Sequence, residues 1–268
     1  MTLAALENAL AAATSQNRAA LITYLSAGYP TVAKGIDLFA ALIDGGCDAI
    51  EVGMPFSDPV IDGPVVQRAQ NAALQAGFRT RDLFTTVEAI ADRGGVPVVM
   101  SYFNPVLAHG VEAFARDLAA AGGAGLITPD LIVDEADEWL AAAAAHELAA
   151  VFLVAPSSTA ERLALTTAAC RGFVYAASVM GVTGVRDTVA SSAHQLVERC
   201  RAVTDLPIGV GLGVRTADQA AEIGAYADAV IVGSALVAVA DDGPAAVQSL
   251  TGRLADGVRR GRPSRVGS

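Results

Sequence analysis

Two acidic residues, Glu51 and Asp62, are the side chains in this sequence whose type and spacing best fit chemistry. Glu51 lies inside residues 49–54, a short apolar run that predicts a buried strand. A carboxylate on such a strand must be paired, neutralised or put to use. Asp62 lies in the loop after that strand, which a Gly-Pro pair closes before the next predicted helix. The two carboxylates are therefore expected near one strand end, which is the layout of a general acid/base pair.

Both residues also have a purely structural interpretation. Glu51 could be a buried acid that pairs with an arginine, but no arginine stands on any predicted strand. Without such a partner, burial raises the pKa of a carboxyl and lets it exchange protons near neutrality. Asp62 could instead cap its loop, and for Asp58, between Ser57 and Pro59, the turn interpretation is favoured.

A repeating unit positions these residues: a short β-type run ends at a loop with Gly or Pro, and an Ala- and Leu-rich helical run follows. The eight predicted strands are residues 21–27, 48–54, 96–102, 125–128, 150–154, 173–177, 207–210 and 229–232. The predicted helices are residues 32–44, 80–92, 111–121, 133–145, 159–170, 191–202 and 216–223, with one more from residue 65 and a last one within 244–259.

Eight strands that alternate with helices predict an α/β fold, a closed (β/α)8 TIM barrel. An open doubly wound sheet is the alternative, but it would normally carry a Gly-rich fingerprint after the first strand, where this chain has Ala27-Gly28-Tyr29-Pro30. We expect one domain over residues 1–268, with an extra N-terminal helix, a short phosphate-binding helix after strand eight and a polar tail at about 259–268. In such a barrel the chemistry lies at the C-terminal strand ends.

Glycine-rich turns follow three consecutive predicted strands. They are residues 180–184 after strand six, 209–213 after strand seven and 232–235 after strand eight. Glycines let backbone N–H groups approach an anion closely, and a helix N-terminus adds a favourable dipole. These turns could simply be tight loops, but their recurrence at three neighbouring strand ends favours a substrate that carries a phosphate.

The sequence lacks the residues that two classes of carbon–carbon lyase require, and this excludes both classes. A Schiff-base aldolase needs a lysine at a strand end, but Lys34, the only lysine, lies at the start of the first barrel helix. A metal-dependent lyase needs clustered ligands, and the three histidines are scattered, with His109 in a predicted loop and His146 and His194 in predicted helices. Acid/base chemistry by carboxylates remains, without a metal. Residues at or near strand ends would suit a flat aromatic substrate: Tyr24, Tyr102, Phe103, Ile127, Phe152 and Tyr175.

The composition limits the partners and the compartment. A net charge of −10 argues against a nucleic-acid partner. No apolar run approaches the roughly 20 residues that a membrane span needs. Three cysteines without metal-like spacing fit a reducing cytosol. We therefore expect a cytoplasmic protein with no nucleic-acid or membrane partner.

A family resemblance enters at the two carboxylates. The run IEVGMPFSDP at residues 50–59, followed by DGP at 62–64, resembles the catalytic strand and the interface loop of the tryptophan synthase alpha subunits. SYFNP at 101–105, GVTG at 181–184 and the turns GLG at 211–213 and GS at 233–234 are similar as well. The resemblance covers roughly residues 3–260. Its PFSDP…DGP element is highly specific, whereas the glycine turns are shared with many phosphate-binding barrels.

The resemblance implies an enzyme, a lyase that cleaves indole-3-glycerol phosphate to indole and glyceraldehyde 3-phosphate. Glu51 would protonate indole C3 and relay the proton of the glycerol hydroxyl, and Asp62 would stabilise positive charge at the ring N–H. Tyr175 would position Glu51 or the substrate, and Leu212 stands where many members have an aromatic residue. The implied substrate-binding residues are Tyr24, Tyr102, Ile127, Tyr175, Thr183, Gly184, Leu212, Gly213, Gly233 and Ser234, of which Gly184, Gly213, Gly233 and Ser234 would hold the phosphate.

The resemblance also implies a partner, a pyridoxal-phosphate beta subunit that receives indole through a channel in an α2β2 tetramer, with no cofactor in this chain. The residues that would face this partner are Pro55, Phe56, Ser57, Asp58, Pro59, Pro129 and Asp130. Two alternatives stay open. The chain could be a free-standing indole-releasing lyase, or a catalytically silent phosphate-binding barrel that only activates a beta partner. The presence of both Glu51 and Asp62 argues against the silent barrel.

Overall fold

Eight strands close into a parallel barrel in chain order in the computed structural model, which describes residues 2–177 and 186–260. Four of the eight strands, β1, β2, β4 and β8, are buried at every residue, as expected where helices cover the outside and side chains fill the inside. The strands are β1 Ala20–Ser26, β2 Ala49–Gly53, β3 Pro97–Met100, β4 Gly125–Thr128, β5 Ala149–Val154, β6 Val174–Ala177, β7 Ile208–Gly211 and β8 Ala229–Val232. The predicted (β/α)8 barrel is confirmed.

Helices surround the barrel and connect its strands. They are α1 Thr2–Ser15, α2 Val32–Asp44, α3 Pro64–Gln75, α4 Thr80–Asp92, α5 Phe103–His109, α6 Val111–Ala120, α7 Asp137–Ala145, α8 Ala160–Ala169, α9 Arg186–Arg201, α10 Ala217–Gly224, α11 Ser234–Val239 and α12 Pro244–Val258. None of the helices in the described residues is long and apolar enough to cross a membrane. Residues 261–268 of the predicted tail lie outside the described residues.

Two predicted segments differ from the structure. The third strand ends at Met100 rather than at residue 102, and helix α5 follows, so His109 ends a helix and does not lie in a loop. Pro105 is compatible with α5 because it lies in the first turn, where its missing N–H is not needed. The predicted helix 133–145 is interrupted at Ala136, whose N–H bonds back to Val133 and closes a 3-10 turn before α7 begins.

Helix α1 closes the end of the barrel opposite the C-terminal strand ends. Its residues Leu6, Leu10 and Ala13 are buried with the first inward-facing residues of the strands, among them Ala49 and Phe173. The predicted N-terminal helix is therefore part of the core. With this end filled by apolar side chains, access to the barrel interior is left to the opposite end, where the loops after the strands lie.

Helix α12 contains two glycines whose replacement should have opposite effects. A Cβ at Gly257 would lie 2.3 Å from the backbone oxygen of Ala217 on α10, whereas a Cβ at Gly252 would meet only the oxygen of Gly45, at 4.0 Å. We expect Gly257→Ala to lower the free energy of unfolding by about 1–3 kcal/mol. Gly252→Ala should raise it by about 0.5–1 kcal/mol, because alanine is the better helix former. Chemical denaturation of both variants measures the difference, and changes of the same sign would contradict it.

Candidate active site

Glu51 is an acidic residue that is almost completely buried in the barrel. It lies in the middle of β2, between Tyr24 of β1 and Val98 of β3 in register, and its exposed fraction is 1%. Among the described residues, no ion pair includes it. Burial raises the pKa of the Glu51 carboxyl to about 8, and the negative charge of Asp62 adds to the increase. Near neutral pH this group can therefore both hold a proton and give it up.

Asp62 reaches the same strand end from the loop between β2 and α3. Its Oδ2 accepts two hydrogen bonds, from the hydroxyl of Tyr102 at 3.0 Å and from Nε2 of Gln70 at 3.0 Å. Burial raises the pKa of Asp62, and both hydrogen bonds oppose this increase because they stabilise the carboxylate. Within residues 2–177 and 186–260, Oδ1 has no hydrogen-bond partner. The structure thus brings the two predicted carboxylates together, with different surroundings.

Tyr102 holds the Asp62 loop from the side of β3. Its hydroxyl oxygen accepts the backbone N–H of Ile61 at 3.0 Å while its proton goes to Asp62. Its ring stacks on Phe56, with ring centroids 5.0 Å apart and an angle of 27° between the planes. Tyr102 was expected as a substrate-binding residue. The structure gives it an additional role, since it fixes the loop that carries the second carboxylate.

Two glutamines of α3, neither of which was predicted as a functional residue, hold the same loop. Gln67 donates from Nε2 to the backbone oxygen of Asp62 at 2.9 Å and to that of Pro59 at 3.4 Å. Gln70 donates to the Asp62 carboxylate and accepts the backbone N–H of Phe56 at 3.1 Å. The loop between β2 and α3 is therefore fixed by side chains at several points of its backbone.

A small cleft opens beside Asp62. Tyr24 crosses from β1 toward β2, and only a glycine fits below its ring, because a Cβ at Gly53 would lie 2.3 Å from the Tyr24 hydroxyl. That hydroxyl is 3.2 Å from Oγ of Ser26. The cleft is lined by Tyr24, Gly53, Met54, Asp62, Gln70, Met100, Ser101 and Tyr102. Two of the predicted substrate-binding residues, Tyr24 and Tyr102, therefore line it.

Tyr175 of β6 approaches the carboxylates from the opposite side of the barrel. The charges of Glu51 and Asp62 add to burial in raising the pKa of the Tyr175 hydroxyl well above its usual value. A Cβ at Gly211 would lie 2.7 Å from this hydroxyl, so the glycine leaves room for the ring. Ile127 is fully buried and belongs to the cluster inside the barrel against which Met100 and Tyr175 also pack.

The predicted phosphate loops lie at the ends of β7 and β8. Gly213 has φ +65, a conformation that favours glycine, and it follows the buried Leu212. Gly233 precedes Ser234, the first residue of α11, and a Cβ at Gly233 would lie 3.4 Å from the Tyr24 Cβ. The predicted residues Thr183 and Gly184 lie outside the described residues. Gly233 therefore adjoins Tyr24, a side chain that lines the cleft.

Of the predicted pocket walls, Phe103, Ile127, Phe152 and Tyr175 do not line this cleft. Phe152 lines a separate groove with Thr128, Pro129 and Arg162, and it does not line the cleft beside Asp62. The reason is the strand period of two: Val151 packs inside the barrel, so its neighbour Phe152 points to the helix layer. Among the described residues, no group of three His, Cys, Asp or Glu side chains could hold a metal ion.

The residues predicted to face a partner differ in exposure. Ser57, Asp58 and Asp130 are exposed, Phe56 and Pro129 are half-buried, and Pro55 and Pro59 are buried in this chain. Exposed large apolar residues follow three consecutive strands at this end of the barrel: Val60 and Ile61 after β2, Leu107 after β3 and Ile132 after β4. The backbone N–H of Phe103 donates to Oδ1 of Asp130 at 2.9 Å and joins the last two loops. Apolar side chains exposed along one edge are typical of an interaction surface.

Known proteins resemble this chain along most of its length. The family model described as Tryptophan synthase alpha chain matches residues 10–257. A tryptophan synthase alpha chain of Mycobacteroides abscessus is 63% identical over 246 residues, which are 92% of this chain and 94% of the relative. A structure of Mycobacterium tuberculosis tryptophan synthase matches at 58% identity with a TM-score of 0.91, covering 96% of this chain and 98% of that one. A mutant tryptophan synthase alpha-subunit from Pyrococcus furiosus matches at 32% identity with a TM-score of 0.81, covering 90% and 98%.

Proposed function

This chain belongs to the tryptophan synthase alpha chain family, and from that premise we propose that Glu51 and Asp62 carry its reaction. The reaction is a lyase step: indole-3-glycerol phosphate is cleaved to indole and glyceraldehyde 3-phosphate. The observation that supports the assignment is the buried Glu51 carboxyl next to Asp62, with a pKa that burial raises to about 8. A group with this pKa exchanges protons at neutral pH, which acid/base catalysis requires.

Glu51 acts first as an acid and then as a base. In its neutral form it protonates indole C3, and the ring becomes a cationic indolenine. As a carboxylate it then takes the proton of the glycerol hydroxyl on the carbon bound to C3. The C–C bond breaks, its electron pair returns to the ring, and an aldehyde forms at the former hydroxyl carbon. The ring itself takes up the electrons, so the reaction needs no lysine and no imine.

Asp62 stabilises the cationic intermediate. Its carboxylate accepts a hydrogen bond from the indole ring N–H, where positive charge develops when C3 is protonated. The hydrogen bonds from Tyr102 and Gln70 keep Oδ2 occupied and support the charged form. Fixed charges that face a developing charge are typically worth about 10²–10³ in rate. The two carboxylates therefore have separate roles, which agrees with their different surroundings.

The phosphate of the substrate binds at the ends of β7 and β8. Backbone N–H groups of Gly213 and Gly233 and the backbone and hydroxyl of Ser234 serve as donors, and Gly184 completes the phosphate site. Thr183 binds another part of the substrate. Glycines at these positions support the assignment because they permit close approach of the backbone to an anion. Tyr24, Ile127, Tyr175 and Leu212 form the walls around the indole ring.

The partner of this chain is a tryptophan synthase beta subunit. The alpha chain carries no cofactor, and pyridoxal phosphate belongs to the beta subunit. We propose an α2β2 tetramer in the cytoplasm. The docking surface consists of residues 55–60, Pro129 and Asp130, together with the neighbouring exposed apolar residues Leu107 and Ile132. Indole passes from the barrel to the beta subunit through this surface.

The direct test is the release of indole from indole-3-glycerol phosphate by the purified chain, with and without a beta subunit. We expect slow release by the chain alone and strong stimulation by the beta subunit. Fast release without the beta subunit would support a free-standing lyase. If the chain bound the substrate but released no indole with or without the beta subunit, it would be a catalytically silent phosphate-binding barrel rather than an enzyme.

A charge at the exposed apolar edge should weaken the complex. Ile132 is 53% exposed after β4, and Ile132→Lys would place an ammonium group in an apolar contact. We expect the affinity for the beta subunit to fall about tenfold or more, because truncated or charged anchors at an interface cost at least this much. Titration of indole release with beta subunit measures the affinity. Val203→Lys is the matched control, since Val203 is 41% exposed but lies after α9 at the opposite end of the barrel. Equal affinities for the two variants would exclude Ile132 from the interface.

A further inference from the structure

Gln70 is a buried polar residue that the reaction described above does not use directly. It lies on α3 with an exposed fraction of 3% and makes two hydrogen bonds. Its Oε1 accepts the backbone N–H of Phe56 at 3.1 Å, and its Nε2 donates to Oδ2 of Asp62 at 3.0 Å. A backbone N–H can only donate, so it requires Oε1 on its side and leaves Nε2 facing the carboxylate. The orientation of the amide is therefore determined by its surroundings.

We propose that Gln70 is a positioning residue for Asp62 in the lyase reaction. The proposal rests on the proposed role of Asp62. A carboxylate can rotate about its terminal torsion, which is broad in energy. Two donors, Gln70 and Tyr102, reach the same oxygen, so together they fix the rotation and leave Oδ1 for the substrate. Gln70 approaches from α3, and Tyr102 approaches from the residue that precedes α5.

Gln70 also acts on the charge of Asp62. Burial raises the pKa of Asp62, and the hydrogen bond from Gln70 lowers it again, because it stabilises the carboxylate. Loss of this bond should leave Asp62 protonated up to a higher pH. Since protonated Asp62 cannot stabilise the cationic ring, the acidic limb of the kcat profile should move to higher pH. A residue that served only to fill space would not move this limb.

A double-mutant cycle tests the proposal: Gln70→Leu, Asp62→Ala and the double variant, each assayed for indole release with the beta subunit present. Gln70→Leu should lower kcat about tenfold to a hundredfold, as expected for a lost hydrogen bond to a charged group, with a smaller change in KM. In the Asp62→Ala background the same substitution should change kcat less than about twofold, because no carboxylate remains to be positioned. Additive effects would overturn the proposal.

Gln67→Leu is the matched control. It removes a glutamine of the same helix that binds the same loop, but through backbone oxygens rather than through the carboxylate. Gln70→Leu should shift the acidic limb to higher pH and Gln67→Leu should not, and equal shifts would overturn the proposal. Thermal unfolding of each variant confirms that the chain is folded. If Asp62→Ala kept full activity, the proposed catalytic role of Asp62 would be wrong. If Asp62→Ala lost activity but its effect on kcat added to that of Gln70→Leu, only the positioning role of Gln70 would be refuted.

Discussion

Replacing Glu51 by glutamine should reduce the release of indole by about 10²–10⁴-fold, the usual cost of losing a general acid/base. Glutamine has nearly the same shape as glutamate, so the barrel should keep its structure. It cannot protonate indole C3 and it cannot accept the hydroxyl proton, and both steps were assigned to Glu51. The effect should appear in kcat, because the carboxyl is buried and acts on bound substrate. Initial rates of indole release with saturating substrate and beta subunit measure it.

The control for this experiment is the same chemical change at a solvent-exposed site. Glu88 lies exposed on α4, and Glu88→Gln should leave kcat unchanged. Equilibrium binding of a non-cleavable phosphorylated indole to Glu51→Gln should stay within about threefold of the wild type, because the phosphate donors lie on other strands. If Glu51→Gln kept more than about a tenth of the wild-type rate, another group would have to supply the proton, and Glu51 would be a structural acid.

The barrel and its two carboxylates could be predicted because their physical causes are visible in short stretches of sequence. Strands covered on both faces are continuous apolar runs, so Glu51 was conspicuous as the one charge within β2. Pro55 ends that run and the following Gly-Pro pair begins α3, which confines Asp62 to the loop between them. Because parallel strand ends meet at one face, the arrangement of the two carboxylates followed from the fold class.

The residues that hold Asp62 could not be found in this way. Their roles depend on which loop a helix folds against, and that is a property of the tertiary structure. Gln70 nevertheless left a trace in the sequence of α3. The buried residues of this helix are Val66, Ala69, Gln70 and Ala73, which form one helical stripe, and Gln70 is the polar member of it. A polar residue inside an apolar stripe is a reason to expect a buried hydrogen-bond partner.

Local patterns also failed where one sequence signal fits two structures. Residues 101 and 102 were predicted as the end of the third strand because Tyr102 favours extended structure. In the structure Tyr102 is the last residue before α5, and its side chain turns toward the loop after β2. Tertiary hydrogen bonds override the local preference for extended structure, because the Tyr102 hydroxyl finds both an acceptor and a donor in that loop. Through these hydrogen bonds Tyr102, which was expected only as a pocket wall, also holds Asp62 in place.

The buried carboxyl that serves catalysis should also make the stability of the protein depend on pH. Glu51 has a pKa of about 8 in the folded chain and an ordinary value of 4.5 when exposed. Between these two values the folded state binds more protons than the unfolded state, so the free energy of unfolding falls as pH rises from the lower value to the higher. The raised pKa of Asp62 contributes with the same sign. Below the lower value the stability from this source is fully present.

Glu51→Gln should remove most of this dependence, because an amide does not ionise. We expect the variant to be more stable than the wild type at about pH 9, by on the order of 3–5 kcal/mol, the free energy that corresponds to the change in the Glu51 pKa. The difference should shrink toward about pH 5, where the buried glutamic acid is neutral. Denaturant unfolding of both proteins at several pH values measures the difference. Parallel curves would mean that Glu51 is not held neutral by burial. A variant that is inactive and yet more stable at alkaline pH would instead show that the barrel retains a destabilising group for its chemistry.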